Sequence, residues 1–546
     1  MKIFNPCNNL SIINAYDSLG RLLSTFDNND PATNTDDVLC SYTYDPLNRV
    51  LTETQNSNTV TNIFDSMRKI WQYNPNGDRL RFSYNKDSLP TQVLFNGIIV
   101  NTDQYTNLNQ LATRTLGIGV IVNQTYTANG ALLDTYAKKN NSNRLHLSYT
   151  YDSVGRKTSE ADALDATNSV QYAFDNANRL TSWHRNTDNQ TWQLNPLANW
   201  LSTTNNGITE SRLHNTTNAI TSKTLGAATE NITHDLDGNL KSDATQVYFF
   251  DAISRLIEVR TLNLASVIAK YNYDAINRRI SNAVGTTTTI YAYTGWQVAE
   301  ERSLKKVNNT IKTTTRSFTY GPYIDEPIMM SMIKPTGAKS TFYYLHNQQF
   351  SVYALLNSTG AIAERYQYSA YGQPTIEAPN GTTRTISAQE NTYMYTGRNQ
   401  DSETGLQYFR NRYYSDKNGR FISRDPIGYV DGLNLYRGYF VPFGHDPFGL
   451  VEDNDWMPGR GDEGYDEYHT GGGDKLGKDS FGRKVTVRSI SAEQSEIKKC
   501  CKKDAKKENC YEITIYSHGP KSMVAGHASF GLGGSSYGFH WGGFAL

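Results

Sequence analysis

The chain has 546 residues, and its 53 lysines and arginines are balanced by 53 aspartates and glutamates, so net charge gives no argument for a nucleic-acid partner. Its five cysteines are too few for a disulfide framework, and no apolar run approaches the ~20 residues that span a bilayer. The segment 1–9 lacks the apolar stretch of a secretory signal. We expect either the C-terminal part of a larger polypeptide or export by another route.

A short unit recurs through the first half of the chain. It consists of an aromatic residue, an Asp and two variable residues. A fifth position, usually Gly or Asn, follows, and then come Arg and an apolar or basic residue. Copies begin at Tyr16, Tyr44, Tyr151, Phe174, Phe250 and Tyr273. Gly and Asn tolerate positive φ, and strand-forming residues flank each copy, so each unit predicts a β-hairpin turn. The period of roughly 20 residues is typical of stacked repeats, in which neighbouring hairpins bury one continuous apolar face.

The unit resembles the YD repeat of the Rhs family, which is shared with the C components of Tc toxins and with teneurins. The resemblance covers most of residues 1–450 and implies a mainly β fold, in which a β-hairpin ribbon spirals into a shell around a cargo. We assign this shell to residues 1–395. The alternative is a cell-surface β-repeat for adhesion, whose tyrosines would bind surface carbohydrate or protein.

Three segments, 395–398, 403–414 and 419–426, resemble the Rhs core-associated module, which we assign to residues 396–450. In that family the module plugs the shell and cuts the chain by an aspartyl-protease-like step after a closing Asp-Pro-x-Gly-Leu. The resemblance implies that Asp425 and Asp446 form the dyad and that the scissile bond follows Leu450.

Arg424 would orient the two carboxylates or stabilise their charge. Two carboxylates that share a site do not ionise equally, so one can act as a base and the other as an acid. Asp431 is a weaker third candidate, and a short arm, residues 436–445, must return Asp446 to Asp425. The alternative is that both Asp-Pro pairs simply begin turns.

After Leu450 the composition changes abruptly. Residues 451–480 are predicted to form an acidic, Gly-rich linker, and residues 481–546 a small α+β domain that would be the effector. Its expected elements are a strand at 484–488, a helix capped by Ser491, a strand at 511–516 and a hairpin turning at 533–534.

The chemistry of this last domain stays open between three hypotheses. The His527 region resembles papain-like hydrolases, in which His527 would activate a thiol such as Cys510. A zinc site built from Cys500, Cys501, Cys510 and a histidine is a weaker alternative, and purely structural roles are a third. We predict no cofactor and no bound metal.

The family resemblance implies a cognate immunity protein and a secretion apparatus as partners, with a secreted or cell-surface location. The composition itself predicts no nucleic-acid partner and no transmembrane segment.

Overall fold

The computed structural model describes residues 2–5, 10–27, 37–430, 432–442, 444–450, 512–514, 529–532 and 535–538. Antiparallel β-sheets make up nearly all of the regular structure there, and each strand of the two large sheets pairs with the next strand along the chain. The mainly β hairpin architecture predicted from the repeats is therefore confirmed.

The first large sheet covers residues 2–231. Its strands in chain order are β1 (Lys2–Asn5), β2 (Leu10–Tyr16), β3 (Leu22–Asp27), β4 (Val38–Tyr44), β5 (Val50–Gln55), β6 (Asn58–Phe64), β7 (Lys69–Tyr73), β8 (Arg79–Tyr84), β9 (Pro90–Phe95), β10 (Ile98–Tyr105), β11 (Leu111–Leu116), β12 (Ile121–Tyr126), β13 (Leu132–Lys139), β14 (Ser142–Tyr151), β15 (Lys157–Asp162), β16 (Val170–Phe174), β17 (Leu180–Arg185), β18 (Asp188–Leu194), β19 (Trp200–Asn205), β20 (Ile208–His214), β21 (Ile220–Leu225) and β22 (Ala228–Asn231).

The second large sheet covers residues 233–384. Its strands are β23 (Thr233–His234), β24 (Leu240–Ser242), β25 (Gln246–Phe250), β26 (Leu256–Thr261), β27 (Val267–Tyr273), β28 (Arg279–Val284), β29 (Thr287–Thr294), β30 (Gln297–Val307), β31 (Thr310–Tyr320), β32 (Pro327–Ile333), β33 (Lys339–His346), β34 (Val352–Leu356), β35 (Ile362–Tyr368), β36 (Pro374–Glu377) and β37 (Thr383–Arg384). Two short 3₁₀ helices lie at Ala166–Asn168 and Tyr395–Gly397.

The core module adds a four-stranded sheet. It contains β38 (Asn399–Asp401), β39 (Leu406–Phe409), β40 (Arg412–Ser415) and β41 (Arg420–Phe421). Beyond residue 450 three strands are described, β42 (Glu512–Thr514), which pairs with β1, and the paired β43 (Ser529–Leu532) and β44 (Ser535–Gly538). The expected linker and the expected helix lie outside the described residues.

The repeat turns are closed by their aspartates. In the unit that begins at Tyr151, the Asp152 carboxylate accepts hydrogen bonds from the backbone N–H groups of Val154 and Arg156. Gly155 lies between them at a φ of +87°, and Asn178 takes the same left-handed position in the next unit at +58°. These are the positions at which the sequence predicted positive φ, because only Gly and Asn adopt it at low cost.

The arginine of each unit bridges to the following unit. The Nε of Arg156 donates to Asp152 at 2.6 Å, its Nη1 donates to the carbonyl of Asp175 at 2.9 Å, and the guanidinium lies 5.1 Å from the Phe174 ring. Arg21 repeats this pattern over Tyr44. The aromatic residue reaches the other way, since the Tyr44 hydroxyl donates to the carbonyl of Leu22 at 2.7 Å. A unit that begins with tyrosine and is followed by an aromatic residue is therefore joined to its neighbours by both its cation and its ring.

The two large sheets share cores and buried ion pairs. One apolar cluster combines Leu80–Tyr149 side chains of the first sheet with Ile328–Leu356 side chains of the second. Across the same contact, Arg255 pairs with Asp27 at 2.7 Å and Arg278 pairs with Glu53. The core module packs its aromatic side chains into a second cluster with strands β31–β36. The module therefore packs directly against strands of the second large sheet.

In the part of the chain that the structure describes, none of the helices has the length and apolar character to cross a membrane.

Candidate active site

The core module brings the two predicted aspartates together at the end of its small sheet. Asp425 follows β41 closely, and its backbone N–H donates to the carbonyl of Leu435 at 3.0 Å. The N–H of Phe421 donates to the carbonyl of Tyr436 at 2.9 Å, so the returning arm runs beside β41. The arm then folds back through a turn in which Gly444 N–H donates to the Phe440 carbonyl at 2.8 Å. This short arm is sufficient to carry residue 446 back to the sheet.

Arg412, the first residue of β40, lies between the two carboxylates. Its Nη2 is 2.9 Å from Oδ2 of Asp425 and 3.6 Å from Oδ2 of Asp446. The two Oδ2 atoms are therefore no farther apart than the sum of these distances. The exposed fractions of the three side chains are only 2%, 5% and 4%, respectively. The arrangement is a buried pair of carboxylates that share one guanidinium.

Both aspartates also cap their own turns, which was the alternative considered for the Asp-Pro pairs. Oδ1 of Asp425 accepts from the N–H of Ile427 at 3.0 Å, and Oδ1 of Asp446 accepts from the N–H of Leu450 at 2.9 Å. In each residue Oδ1 accepts the hydrogen bond that closes the turn, and Oδ2 faces Arg412. Turn capping and carboxylate pairing are therefore compatible here.

Arg424, the arginine expected to act on the pair, has a different principal environment. A Cβ built on Gly238 would come within 2.3 Å of its Nε, which places the side chain directly over that turn. Burial raises the pKa of the Tyr436 hydroxyl, and the neighbouring Arg424 guanidinium opposes this rise. The cation that ion-pairs with both carboxylates is Arg412.

The chain leading to Leu450 is held through its backbone. Four successive carbonyl groups each accept a hydrogen bond from a side chain of the module. The donor and acceptor pairs are Arg398 to Asp446 at 2.9 Å, Arg410 to Pro447, Asn411 to Phe448 at 3.1 Å, and Arg412 to Gly449. Every residue from 446 to 449 is thus fixed relative to the sheet, as a bound substrate peptide would be.

Gly449 allows this approach because it has no side chain. Its φ is +65°, and a Cβ at this position would come within 2.4 Å of the Phe409 carbonyl oxygen. The neighbouring Phe448 ring packs edge-on against Trp296 at 5.3 Å. The close passage of the backbone and the anchored ring together fix the direction in which the chain leaves the module.

A buried acidic group supports the arginines that hold the backbone. Asp325 pairs with Arg398 at 2.8 Å and with Arg410 at 2.7 Å. Burial lowers the pKa of Arg398, an effect that Asp325 opposes, whereas for Arg410 the attraction of Asp325 outweighs burial and raises the pKa. Both guanidinium groups therefore remain charged donors at neutral pH.

The sequence identified the two aspartates from the module motif but missed Arg398, Arg410 and Arg412. A signal was available, because these arginines stand among the aromatic residues of 395–414, and a buried cation requires an acidic or carbonyl partner. Cys510, His527 and Asp431 lie outside the described residues. No group of metal-ligating side chains occurs in the described parts of the chain.

Comparison with known families matches residues 120–437 to the teneurin YD-shell family. This match covers more than half of the chain. The chain belongs to this family. The assignment agrees with the Rhs and YD-repeat resemblance read from the sequence.

The YD shell is similar to parts of several bacterial proteins. The tRNA(Glu)-specific nuclease WapA of Bacillus subtilis subsp. natto is 31% identical over 229 residues, which are 42% of this chain and 9% of that protein. The double-stranded DNA deaminase toxin A of Burkholderia cenocepacia is 27% identical over 244 residues, or 40% of this chain and 17% of that protein. The chain therefore spans less than a fifth of the length of either relative.

Among solved structures, the YD shell is similar to that of the TcdB2–TccC3 complex, with a TM-score of 0.63, 18% identity, and coverage of 81% of this chain and 27% of the other. The Tc holotoxin pore of Photorhabdus luminescens gives a TM-score of 0.62 at 18% identity, covering 83% and 27%. At this level of identity the likeness establishes the fold.

Proposed function

We propose that this chain is part of a toxin-delivery shell whose core module cuts its own backbone after Leu450 and so releases residues 451–546. The family membership and the two toxin-type relatives, a nuclease and a deaminase by their names, support a shell that carries a C-terminal effector. A secreted or surface location, an immunity protein and a secretion apparatus belong to the same proposal.

The observation that carries the cleavage step is the shared ion pair of Arg412 with Asp425 and Asp446. An aspartyl mechanism needs two carboxylates close together, one to activate water and one to protonate the leaving amide. Arg412 favours a charged carboxylate at this buried position, where an unpaired ion would be costly. In the proposed step Asp425 and Asp446 would act as the acid–base pair, and the contact of Arg412 with both supports this role.

Substrate positioning supports the same conclusion. The four carbonyl contacts fix residues 446–449, and the N–H of Leu450 donates to Asp446. A peptide held at every residue up to the bond to be cut loses little further freedom in the reaction, which is a major source of rate in intramolecular chemistry. The module therefore treats its own C-terminal segment as a substrate.

The test is the state of the purified full chain on a denaturing gel. We expect wild type to separate into residues 1–450 and 451–546, with the small fragment beginning at Val451 on N-terminal sequencing. Asp425→Asn and Asp446→Asn should each leave the chain whole, since an amide cannot replace the ionised partner. Asp416→Asn is the matched control, a buried aspartate of the same module outside the pair, and it should still be cut.

The cleavage proposal fails if wild type stays whole or if both dyad variants are cut. The carrier proposal is checked separately by native size exclusion. If the shell retains its cargo, the two fragments should elute together after cleavage. Elution of the small fragment by itself, at the volume of a free small protein, would contradict enclosure.

A further inference from the structure

A cavity lies where the core module meets the first sheet, and neither of the two aspartates lines it. The space inside it that water can occupy is about 20 Å³, and it opens to solvent on one side. Three arginines line it, Arg179, Arg420 and Arg437, together with the rings of Trp200 and Tyr371. The two rings stand edge-on at 4.5 Å and close one wall. The cavity is thus rich in positive charge and walled by aromatic side chains.

Arg420 is buried in this cavity without an acidic partner. It donates to the carbonyl of Asn218 at 2.7 Å and to the side-chain oxygen of Asn199 at 2.9 Å, both of which are neutral. Within the described ranges no carboxylate pairs with it. Burial, together with the nearby Arg212, lowers the pKa of Arg420 to about 9. A buried guanidinium with neutral partners alone is costly, so the site is suited to an anion.

Arg437 makes the excess of charge larger. It forms a β-bridge directly opposite Arg420, an arrangement in which like charges destabilise the pairing. Its guanidinium lies over the Tyr439 ring at 4.4 Å, and none of the ion pairs found between described residues involves it. The third arginine, Arg179, is balanced by Asp175 at 2.6 Å. Among the described residues, two of the three cations at the cavity therefore have no counter-charge.

We propose that this cavity binds a small oxyanion, a phosphate or a carboxylate, between Arg420 and Arg437. Guanidinium groups bind both kinds of anion through paired N–H donors, and an anion placed between the two arginines removes their repulsion. Arg420 belongs to β41 and Arg437 to the returning arm, whereas Asn199 and Trp200 belong to the first sheet. A bound anion would therefore join the arm to the shell, and this role does not depend on cleavage.

Thermal unfolding of the full chain in increasing sodium phosphate tests the proposal. Ionic strength is held constant with sodium chloride, and sodium acetate is titrated in parallel. We expect a saturable rise of roughly 2 °C or more in the melting midpoint with phosphate or acetate, because a ligand that binds only the folded state stabilises it. A response to phosphate alone identifies the phosphate class, and a response to acetate identifies the carboxylate class.

Arg437→Gln is the informative variant, because this half-buried residue forms no ion pair with a described residue and its loss should leave the fold intact. It should abolish the saturable rise. Arg79→Gln, an exposed arginine of the first sheet, should keep it. The proposal is overturned if neither anion raises the midpoint of wild type beyond chloride, or if Arg437→Gln responds as wild type does. Isothermal titration of wild type with phosphate gives an independent reading, and absence of heat would count against the site.

Discussion

Aspartate–arginine pairs occur in the repeat turns and in the core module, and they reach over very different distances along the chain. In the repeats both partners belong to one turn. In the turn of Asp152 and Arg156 each side chain remains 22% exposed, whereas the turn pairs of Arg255 and Arg278 are buried. In the module Arg412 meets Asp425 and Asp446, which come from separate turns, and all three are nearly inaccessible. The same chemistry therefore closes a local turn in one place and assembles a distant site in the other.

This difference predicts where substitutions matter most. A partly exposed turn pair such as Asp152 with Arg156 forms as soon as its hairpin forms and stays in contact with water, which weakens it. The module pair forms only when β40, β41 and the arm are all in place, and its charges cannot be left unpaired. The partly exposed repeat pairs should therefore tolerate substitution, while the module pair should not.

The largest effect is expected for Arg412. Arg412→Gln leaves two buried carboxylates without their shared cation, so we expect a loss of about 3–5 kcal/mol in the free energy of unfolding, together with loss of cleavage. Urea unfolding and a denaturing gel measure the two effects. Arg412→Lys retains a charge and should fold with weaker cleavage, because a single ammonium group cannot also replace the donors to the carbonyls of Gly449 and Leu435. If Arg412→Gln were as stable as wild type, the module pair would tolerate substitution as the exposed repeat pairs do, and the contrast between the two regions would be wrong.

The next effect concerns two glycines at positive φ. Gly449→Ala brings a Cβ against the Phe409 carbonyl and should cost about 2–4 kcal/mol while impairing cleavage. Gly155→Ala, in an open repeat turn with nothing within 4 Å of the new Cβ, should cost only about 1 kcal/mol. Denaturant unfolding of both variants measures the difference, and equal costs would contradict the special close approach at Gly449.

A smaller effect distinguishes the two regions by pH. Burial raises the pKa of Asp416 in the module to about 6. The folded state then holds this proton more tightly than the unfolded state, so its contribution to stability falls as pH rises from about 4 to 6 and is constant above. Asp416→Asn should abolish this trend and be the more stable protein above pH 6. The measurement is the free energy of unfolding of wild type and of Asp416→Asn between pH 4 and 7. Parallel curves for the two proteins would contradict a raised pKa at Asp416.

The turn aspartates should change stability with pH in the opposite direction. For Asp152, burial tends to raise the pKa, but the hydrogen bonds from Arg156 outweigh it and lower the pKa overall. Its stabilising contribution is present above the ordinary pKa and disappears as pH falls through the lowered value. Asp152→Asn should therefore reduce stability slightly at neutral pH and have no effect in strong acid.

The smallest effect is expected for Arg156. Arg156→Gln removes an exposed ion pair, the contact with Phe174 and the bridge to Asp175, and we expect a fall of only about 2 °C in the melting midpoint, with cleavage unchanged. Differential scanning fluorimetry and the gel assay test this. If Arg156→Gln stopped cleavage, a turn pair would have to act on the distant site.

The sequence was sufficient to predict the hairpins because the residues that form each turn are close together in the chain. Asp152 and Gly155 stand within one turn and act on neighbours a few residues away, and the Tyr151 hydroxyl donates to the carbonyl of Leu132 in the preceding unit. The closeness of Asp425 and Asp446 was predicted only through the resemblance of the module, and the arginine that contacts both was not predicted. Nothing local separates Arg412 from Arg410 or Arg424, because the partner of each is set by how the module folds onto the shell.

The bridging arginines give the ribbon a direction. Where the next unit supplies an aromatic ring, the guanidinium lies over it, and where that ring belongs to a tyrosine its hydroxyl donates to the unit that precedes it, as in Arg21 with Tyr44. A unit of this tyrosine type inserted in register would present the same ring to the unit before it and the same cation to the unit after it. The ribbon can therefore lengthen or shorten by duplication or deletion of complete units of this type, since their junctions use the same contact.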